Sequence, residues 1–166
     1  CCERGKVGPY PEQDVGFLVE NGLSGAKFDN CGPLNNITEW ADVANATGVS
    51  LLLENCNNDE SFRANPSNTP SNYFRAGSDI SPSWPTISWN LLQHNEWLWA
   101  SRPRGWSFPD MLVVGTPFPH TPTLCPTPQL SVEEAKGHFA AWCVTSSPLI
   151  LGHDLSNASE FLKWWP

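Results

Sequence analysis

The chain has 166 residues, a net charge of −8 at neutral pH, and only 16% charged residues. This length suits one domain with a real core, and the acidic balance argues against nucleic acid as a partner. Nine tryptophans argue against disorder. No apolar run approaches the ~18 residues that a membrane-spanning helix needs. Composition therefore predicts a globular protein that binds neither nucleic acid nor a membrane.

Six cysteines and three Asn-x-Ser/Thr sequons, at Asn36, Asn45 and Asn157, are typical of a protein that is secreted or enters a lysosomal or vacuolar lumen. The four histidines share no metal-ligand spacing, so we expect no metal and no cofactor. The chain opens with Cys1-Cys2 rather than an initiator Met, and we expect it to be a piece of a longer protein.

Helical and strand patterns alternate along the chain. The apolar periodicity predicts helices over 14–21 and 38–47, the second with Thr38 as N-cap and Gly48 just past its end. Short apolar runs predict strands near 25–29 and 50–54. The second half adds strands near 73–76, 111–115 and 148–152, helices over 84–100 and 131–145, and a last helix from about 156. Long polar or Pro-rich loops are expected over 55–71 and 116–130.

This alternation predicts an α/β fold in which parallel strands are joined by right-handed helical crossovers. Five strands do not close an eight-stranded barrel, so they form either an open sheet or the C-terminal five-eighths of a barrel. No glycine-rich phosphate loop is present, which argues against a dinucleotide-binding fold. Acids lie at or just after several strand tips, namely Asp29, Glu54, Asp79 and Asp154, whereas Asp110 is expected to open its strand.

The stretch Gly25–Asp29 is the best candidate for catalysis. It has the form of a buried strand that ends in a carboxylate, with Lys27 close by. Enzymes of the α/β class place catalytic groups at the C-terminal tips of strands. The alternative is that Asp29 only caps the turn that follows it. Asp79 has a similar alternative, as the N-cap of the turn or helix that begins after it.

Four segments, in order, resemble motifs of glycoside hydrolase family 27, the α-galactosidase/melibiase family. They are Lys27-Phe28-Asp29-Asn30-Cys31, Phe74-Arg75-Ala76-Gly77-Ser78-Asp79, Gly105-Trp106-Ser107-Phe108-Pro109-Asp110-Met111-Leu112 and Pro148-Leu149-Ile150-Leu151-Gly152-His153-Asp154-Leu155. The departures are Phe74 in place of the usual Trp, and Ser107 and Phe108 in place of an Asn-Asp pair.

The resemblance implies roles for individual residues. Asp29 would be the catalytic nucleophile and Asp79 the general acid/base. Lys27 and Arg75 would bind the sugar, and Glu54 would read its 2-position. Asp110 and Met111 would line the same site.

The resemblance also implies an architecture and an activity. Residues 1–166 would form roughly strands 4 to 8 of a (β/α)8 barrel, without the N-terminal strands and the C-terminal β-domain. The whole enzyme would be a retaining exo-glycosidase that acts on terminal α-galactosyl residues of a galactoside or oligosaccharide. The alternatives are an inactive sugar-binding piece, or a relative that acts on α-N-acetylgalactosamine or β-L-arabinopyranose.

The resemblance further implies a disulfide between Cys31 and a cysteine at the start of the chain, most simply Cys1, with Cys2 as the rival. Cys56 would be a free thiol, since its family partner is lost, and Cys143, next to Trp142 on a helix, is expected to be buried. In the oxidised protein the Cys31 sulfur should lie about 2.05 Å from the sulfur of Cys1 or Cys2. Peptide mapping should therefore find a disulfide between Cys31 and one of the first two residues. A bond from Cys31 to Cys125 or Cys143 would refute this pairing.

Overall fold

The structure is a computed structural model, and it describes residues 10–29, 36–56, 70–101, 105–114 and 130–150. Four helices and four strands lie in these ranges. They are α1 (Pro11–Glu20), β1 (Gly25–Asp29), α2 (Ile37–Ala46), β2 (Leu52–Cys56), β3 (Tyr73–Arg75), α3 (Trp84–Glu96), β4 (Trp106–Phe108) and α4 (Val132–Val144), with a 3-10 turn at Leu98–Ala100 after α3. The predicted α/β alternation is therefore confirmed.

The strands form one sheet in the order β1-β2-β3-β4, as predicted for a barrel segment. β1 and β2 are parallel with Lys27 opposite Glu54 and Asp29 opposite Cys56, and β2 and β3 are parallel with Glu54 opposite Tyr73. Trp106 N–H donates to the Asn72 carbonyl at 3.1 Å, which brings β4 to the edge of the sheet. Sequential parallel neighbours require a crossover at each step, and helices supply two of them.

The chain divides into two compact units. The first contains Cys1–Arg75 and Ala100–Trp106, and the second contains Ala76–Trp99 and Ser107–Pro166. Each unit has an apolar core of its own.

The core of the first unit lies between its helices and one face of its strands. Val15 of α1 and Ala41 and Ala44 of α2 pack with Phe28 and Leu53. The Phe28 ring meets Trp40 edge-on, with ring centroids 5.0 Å apart. Because Phe28 and Leu53 occupy alternate positions of their strands, the residues on either side of them must face the opposite side of the sheet.

The ends of α2 differ slightly from the prediction. Its N-cap is Asn36, whose side chain accepts a hydrogen bond from Glu39 N–H at 3.4 Å, and not Thr38. Asparagine is among the best N-cap residues, so its cap sets the helix start two residues earlier. Gly48 lies just past the C-terminal end at φ +72°, in the left-handed region, as the predicted helix stop requires.

The second unit is built around α3 and α4. Ile87, Leu112 and Trp142 form its buried centre. Trp142 Nε1 donates to the Asp110 carbonyl at 2.8 Å, so the indole satisfies its only donor. His138, one turn earlier on α4, is fully buried, and its Nε2 accepts a hydrogen bond from Val113 N–H at 3.0 Å. His138 is thus a structural residue of this core.

The fourth strand lies earlier than predicted. β4 covers Trp106–Phe108, and Asp110 follows it instead of opening a strand at 111–115. Pro109 has no N–H to give to a ladder, and Asp110 adopts φ +99°, which takes the backbone out of the extended region. The apolar run after Asp110 therefore packs into the core of the second unit, where Leu112 is 3% exposed.

The helix α4 has a defined N-terminal cap and departs from the prediction in the burial of one residue. Ser131 and Glu134 form a capping box, with both reciprocal bonds present. Cys143, however, is exposed and not buried. Trp142 points into the core, and the next residue of a helix is turned by ~100° from it. Cys143 therefore faces the solvent.

The predicted fifth strand begins in the described part of the chain, but residues 148–150 do not belong to the sheet there. Its remaining positions, and the helix from about 156, lie outside the described residues. Among the helices that the structure describes, none is long and apolar enough to cross a membrane.

His138 should make the stability of the second unit depend on pH. Burial lowers the pKa of His138 to about 4, from an ordinary value of 6.5. Above pH 6.5 both the folded and the unfolded chain hold a neutral imidazole, so its stabilisation is complete. As pH falls from 6.5 to 4, the His138 imidazole is protonated in the unfolded chain but stays largely neutral in the folded chain. About 3 kcal/mol of unfolding free energy is therefore lost.

Urea unfolding at a series of pH values measures this loss. The matched variant is His138→Gln, whose amide oxygen can accept from Val113 N–H but does not titrate. It should show a flatter pH dependence between 6.5 and 4 than the unmodified chain. An identical slope in both proteins would contradict the role assigned to His138.

Candidate active site

The first three strands carry opposite chemistry on their two faces. One face holds Phe28 and Leu53, which pack against the helices. The other face follows from the register, because residues directly opposite one another on neighbouring strands point to the same side. This face begins with Gly25 and Leu52, and we call the part beyond them the polar face, whose members are Lys27, Asp29, Glu54, Cys56, Tyr73 and Arg75.

The lower row of the polar face links three strands through one ion pair and one hydrogen bond. Lys27 Nζ lies 3.3 Å from Glu54 Oε1, and the Glu54 side chain is only 4% exposed while that of Lys27 is 36% exposed. The Tyr73 hydroxyl also hydrogen-bonds to Glu54, and burial together with that carboxylate raises the pKa of Tyr73 to about 12. A buried carboxylate needs such partners, because burial removes it from the water that would otherwise solvate it.

The upper row stands one step nearer the carboxyl ends of the strands. Asp29 is the last residue of β1 and is exposed, Cys56 ends β2, and Arg75 ends β3. Cys56 is a free thiol and 1% exposed, as the resemblance implied. Burial raises its pKa to about 11, against the opposing effect of the Arg75 and Lys27 charges. The row therefore presents one carboxylate and one guanidinium, with an inert thiol between them.

Four of the predicted site residues are thus brought together: Lys27, Asp29, Glu54 and Arg75. Glu54 lies in the middle of β2 and not at its tip, because the strand runs on to Cys56. Sequence reasoning missed Tyr73, which reads as an ordinary aromatic of a strand. The cross-strand register that pairs it with Glu54 is the signal that reveals it.

The other predicted site residues lie in the second unit. Asp79 is exposed, in the loop that follows β3, and Asp110 is 3% exposed. Asp110 Oδ2 accepts a hydrogen bond from Ile80 N–H at 2.8 Å, which ties the loop after β4 to the residue next to Asp79. Met111 is half-buried beside Asp110. The sequence alone did not show that these two loops are joined.

A buried polar pair accounts for one of the departures from the family motif. Ser107 Oγ lies 3.0 Å from His94 Nδ1, and both residues are almost fully buried. Burial lowers the pKa of His94 from its ordinary value. Ser107 therefore bonds inside the second unit, to a histidine of α3, and Phe108 next to it is also buried.

The described residues contain no group of three or more His, Cys, Asp or Glu side chains that could hold a metal ion. Cys1 and Cys31, the predicted disulfide partners, lie outside those residues. The chemistry that the polar face offers is that of carboxylates, an ammonium group and a guanidinium group. Such groups bind and act on hydroxyl-bearing substrates by hydrogen bonding and proton transfer.

A parallel sheet of sequential neighbours, with helices against one face and charged side chains at the carboxyl ends of its strands, defines a segment of a (β/α)8 barrel. Solved structures agree with this fold. An α-galactosidase from Saccharomyces cerevisiae superposes with a TM-score of 0.67 over 93% of this chain and 39% of its own, at 21% identity. A protein from Bacteroides fragilis that is named a putative α-galactosidase gives a TM-score of 0.67 over 87% of this chain and 34% of its own, at 22% identity.

Curated sequences lead to the same group of proteins. The chain is 24% identical to a rice α-galactosidase over 93% of its length, 28% identical to α-galactosidase 3 of Arabidopsis thaliana over 87%, and 31% identical to a probable α-galactosidase B of Neosartorya fischeri over 91%. It spans 36%, 32% and 41% of those relatives. No protein-family profile matches the chain. The resemblance to the α-galactosidases of glycoside hydrolase family 27 is thereby confirmed, as is the partial barrel.

The different exposure of Cys56 and Cys143 predicts very different reactivities for these two thiols. At pH 8 a thiol with a pKa of about 11 is ionised to only about one part in a thousand, and Cys56 is also shielded from solvent. Cys143 is exposed. Iodoacetamide should therefore label Cys143 at least about 100-fold faster than Cys56, as followed by mass mapping of the two peptides.

A denatured sample is the control, since both cysteines should then react at similar rates. Cys143→Ser should remove the fast label from its peptide without exposing Cys56. Rapid labelling of Cys56 in the native chain would contradict its position on the polar face.

Proposed function

We propose that the protein is a retaining exo-glycosidase that hydrolyses terminal α-galactosyl residues, and that residues 1–166 form part of its catalytic barrel. The observation that carries this proposal is the polar face, on which Asp29 and Arg75 end β1 and β3 and Lys27 lies one step below Asp29. The named activity of the relatives, all α-galactosidases, supports the sugar specificity. One of the solved structures is that of an α-galactosidase from Saccharomyces cerevisiae with raffinose.

The first chemical step is the formation of a glycosyl-enzyme. The Asp29 carboxylate attacks the anomeric carbon, and the glycosidic carbon–oxygen bond breaks as the new ester bond forms. The leaving oxygen takes its proton from the Asp79 carboxyl. Lys27 precedes Asp29 by two residues and lies on the same face of β1.

The second step restores the enzyme. Asp79, now ionised, removes a proton from water, and the water oxygen attacks the anomeric carbon. The bond to Asp29 breaks, and galactose leaves with its original configuration. For this exchange the two carboxyl groups must stand about 5–5.5 Å apart, on opposite sides of that carbon.

The remaining residues of the site bind and orient the sugar. The Lys27 ammonium and the planar fork of Arg75 donate hydrogen bonds to sugar hydroxyls. Asp110 and Met111 line the site, and Glu54 contributes at the 2-position. No metal or cofactor enters this scheme.

We further infer that the protein is a secreted or lumenal glycoprotein. Two of its three sequons lie in the described residues, and both Asn36 and Asn45 are exposed. Exposure is what an attached glycan needs.

Substitutions of the two carboxylates separate their roles. In the natural full-length protein, Asp29→Asn should abolish formation of the glycosyl-enzyme, since an amide is not a nucleophile here. Asp79→Asn should lower kcat/KM for alkyl galactosides by about 100-fold or more, but much less for nitrophenyl galactosides, whose leaving group needs no proton. Mass spectrometry of trapped enzyme and steady-state kinetics measure the two effects.

Glu133→Gln, on the exposed start of α4, is the matched control for loss of a carboxylate and should leave both substrates unaffected. Residues 1–166 alone should turn over little or no substrate, because positioning of the sugar carries much of the rate. Full activity of Asp29→Asn would rule out this assignment of the nucleophile.

A further inference from the structure

Asn90 is a buried amide in the middle of α3 that no part of the mechanism above uses. It is 1% exposed. Its Nδ2 donates to the Ser78 carbonyl and to the Pro109 carbonyl, each at 2.8 Å. One NH2 group has two hydrogens, so this single amide can serve both carbonyls at once. The two carbonyls belong to different loops, one after β3 and one after β4.

The first of these loops carries Asp79. The Ser78 carbonyl belongs to the peptide group that precedes Asp79, and Ile80 N–H belongs to the peptide group that follows it. Asn90 fixes the first group, and Asp110 Oδ2 accepts from the second at 2.8 Å. The backbone of Asp79 is therefore anchored on both sides. Because two peptide planes determine φ and ψ of the residue between them, only its side-chain torsions remain adjustable.

The surroundings of the Asn90 amide show that its position is closely defined. A Cβ atom at Gly77 would lie 2.7 Å from Asn90 Cγ, so only glycine lets the loop approach the amide this closely. On the other side, the Pro109 carbonyl leads into Asp110, whose φ of +99° is rare for a residue with a side chain. Trp142 Nε1 holds the Asp110 carbonyl at 2.8 Å. The amide and the indole together keep this unusual backbone in place.

We propose that Asn90 is a positioning residue for the general acid/base, and this rests on the function proposed above for Asp79. By joining the loops after β3 and β4, the Asn90 amide sets where the Asp79 carboxyl can stand relative to the leaving oxygen. An apolar side chain at this position would leave two carbonyls without their donor, and the loop would move to find others. A displacement of ~1 Å in a catalytic group costs on the order of 100-fold in rate.

The test uses Asn90→Leu and Gly77→Ala in the natural full-length protein. The first removes the donor, and the second displaces the amide from the loop side. For each variant, kcat/KM is measured with methyl α-galactoside and with 4-nitrophenyl α-galactoside. We expect the value for the methyl glycoside to fall by about 100-fold, and the value for the nitrophenyl glycoside to change far less, because only the former leaving group needs a proton.

A second readout follows the proton-removal step. When Asp79 is misplaced, hydrolysis of the glycosyl-enzyme slows, since water needs a base but azide does not. Added azide should therefore raise kcat of both variants with the nitrophenyl substrate and give galactosyl azide as product. If Asn90 only supported folding, its substitution would lower kcat/KM equally for both substrates, and added azide would have no effect.

Asn95→Leu is the matched control, because Asn95 is an exposed asparagine of the same helix. It should behave as the unmodified protein does. Equal losses of kcat/KM for the two substrates, in a folded Asn90→Leu or Gly77→Ala protein, would overturn the proposal. If Asn90→Leu does not fold, Gly77→Ala decides. An unmodified protein without galactosidase activity would instead defeat the proposed function itself, and the two failures are thus distinct.

Discussion

The structure depends on the pairing of the one deeply buried carboxylate in the strands that the structure describes. Glu54 stands in the central part of β2 at 3% exposure, where an ionised group with no partner would be far too costly. Lys27 on one neighbouring strand and Tyr73 on the other meet it from both sides. This pairing holds only in the observed register of the three strands. The charges of the polar face therefore fix strand alignment as well as supplying chemistry.

The opposite face of the same strands follows from that constraint. Since Lys27, Asp29 and Glu54 occupy alternate positions, the positions between them, apart from that of Asn55, carry the apolar contacts with the helices. Phe28 and Leu53 do so in the first unit, against Val15 and the alanines of α2. The small alanine side chains let the helix approach the sheet closely. Trp40 packs edge-on against the Phe28 ring. Packing and chemistry are thus separated by the alternation of side chains along a strand.

Much of this fold was predictable, because local pattern and tertiary structure agree over most of the chain. The strand at 25–29, the helix cap at Ser131 and the sequential strand order all follow from short-range signals. The prediction failed where a local signal was ambiguous. The apolar residues after Asp110 have the composition of a strand, yet Pro109 and the φ of Asp110 place them in a core instead.

The site was predictable to a different degree. Asp29 and Arg75 could be found because they lie at strand ends, and all three of Asp29, Lys27 and Arg75 lie in family-like motifs; the register then brings them together. Tyr73 and Asn90 could not be found in this way. A tyrosine in a strand and an asparagine in a helix are common, and only tertiary contacts show that Tyr73 is bonded to Glu54 and Asn90 to the loop that carries Asp79.

The two-faced strands also limit how the gene for this protein can change length. Inserting or deleting one codon within β2 would exchange the positions of Glu54 and Cys56 with that of Asn55, which now lies on the helix side. A carboxylate would then face the apolar core, and the polar face would lose its centre. Length variants among close relatives should accordingly fall in the connecting segments, whereas the strands should differ by substitution alone.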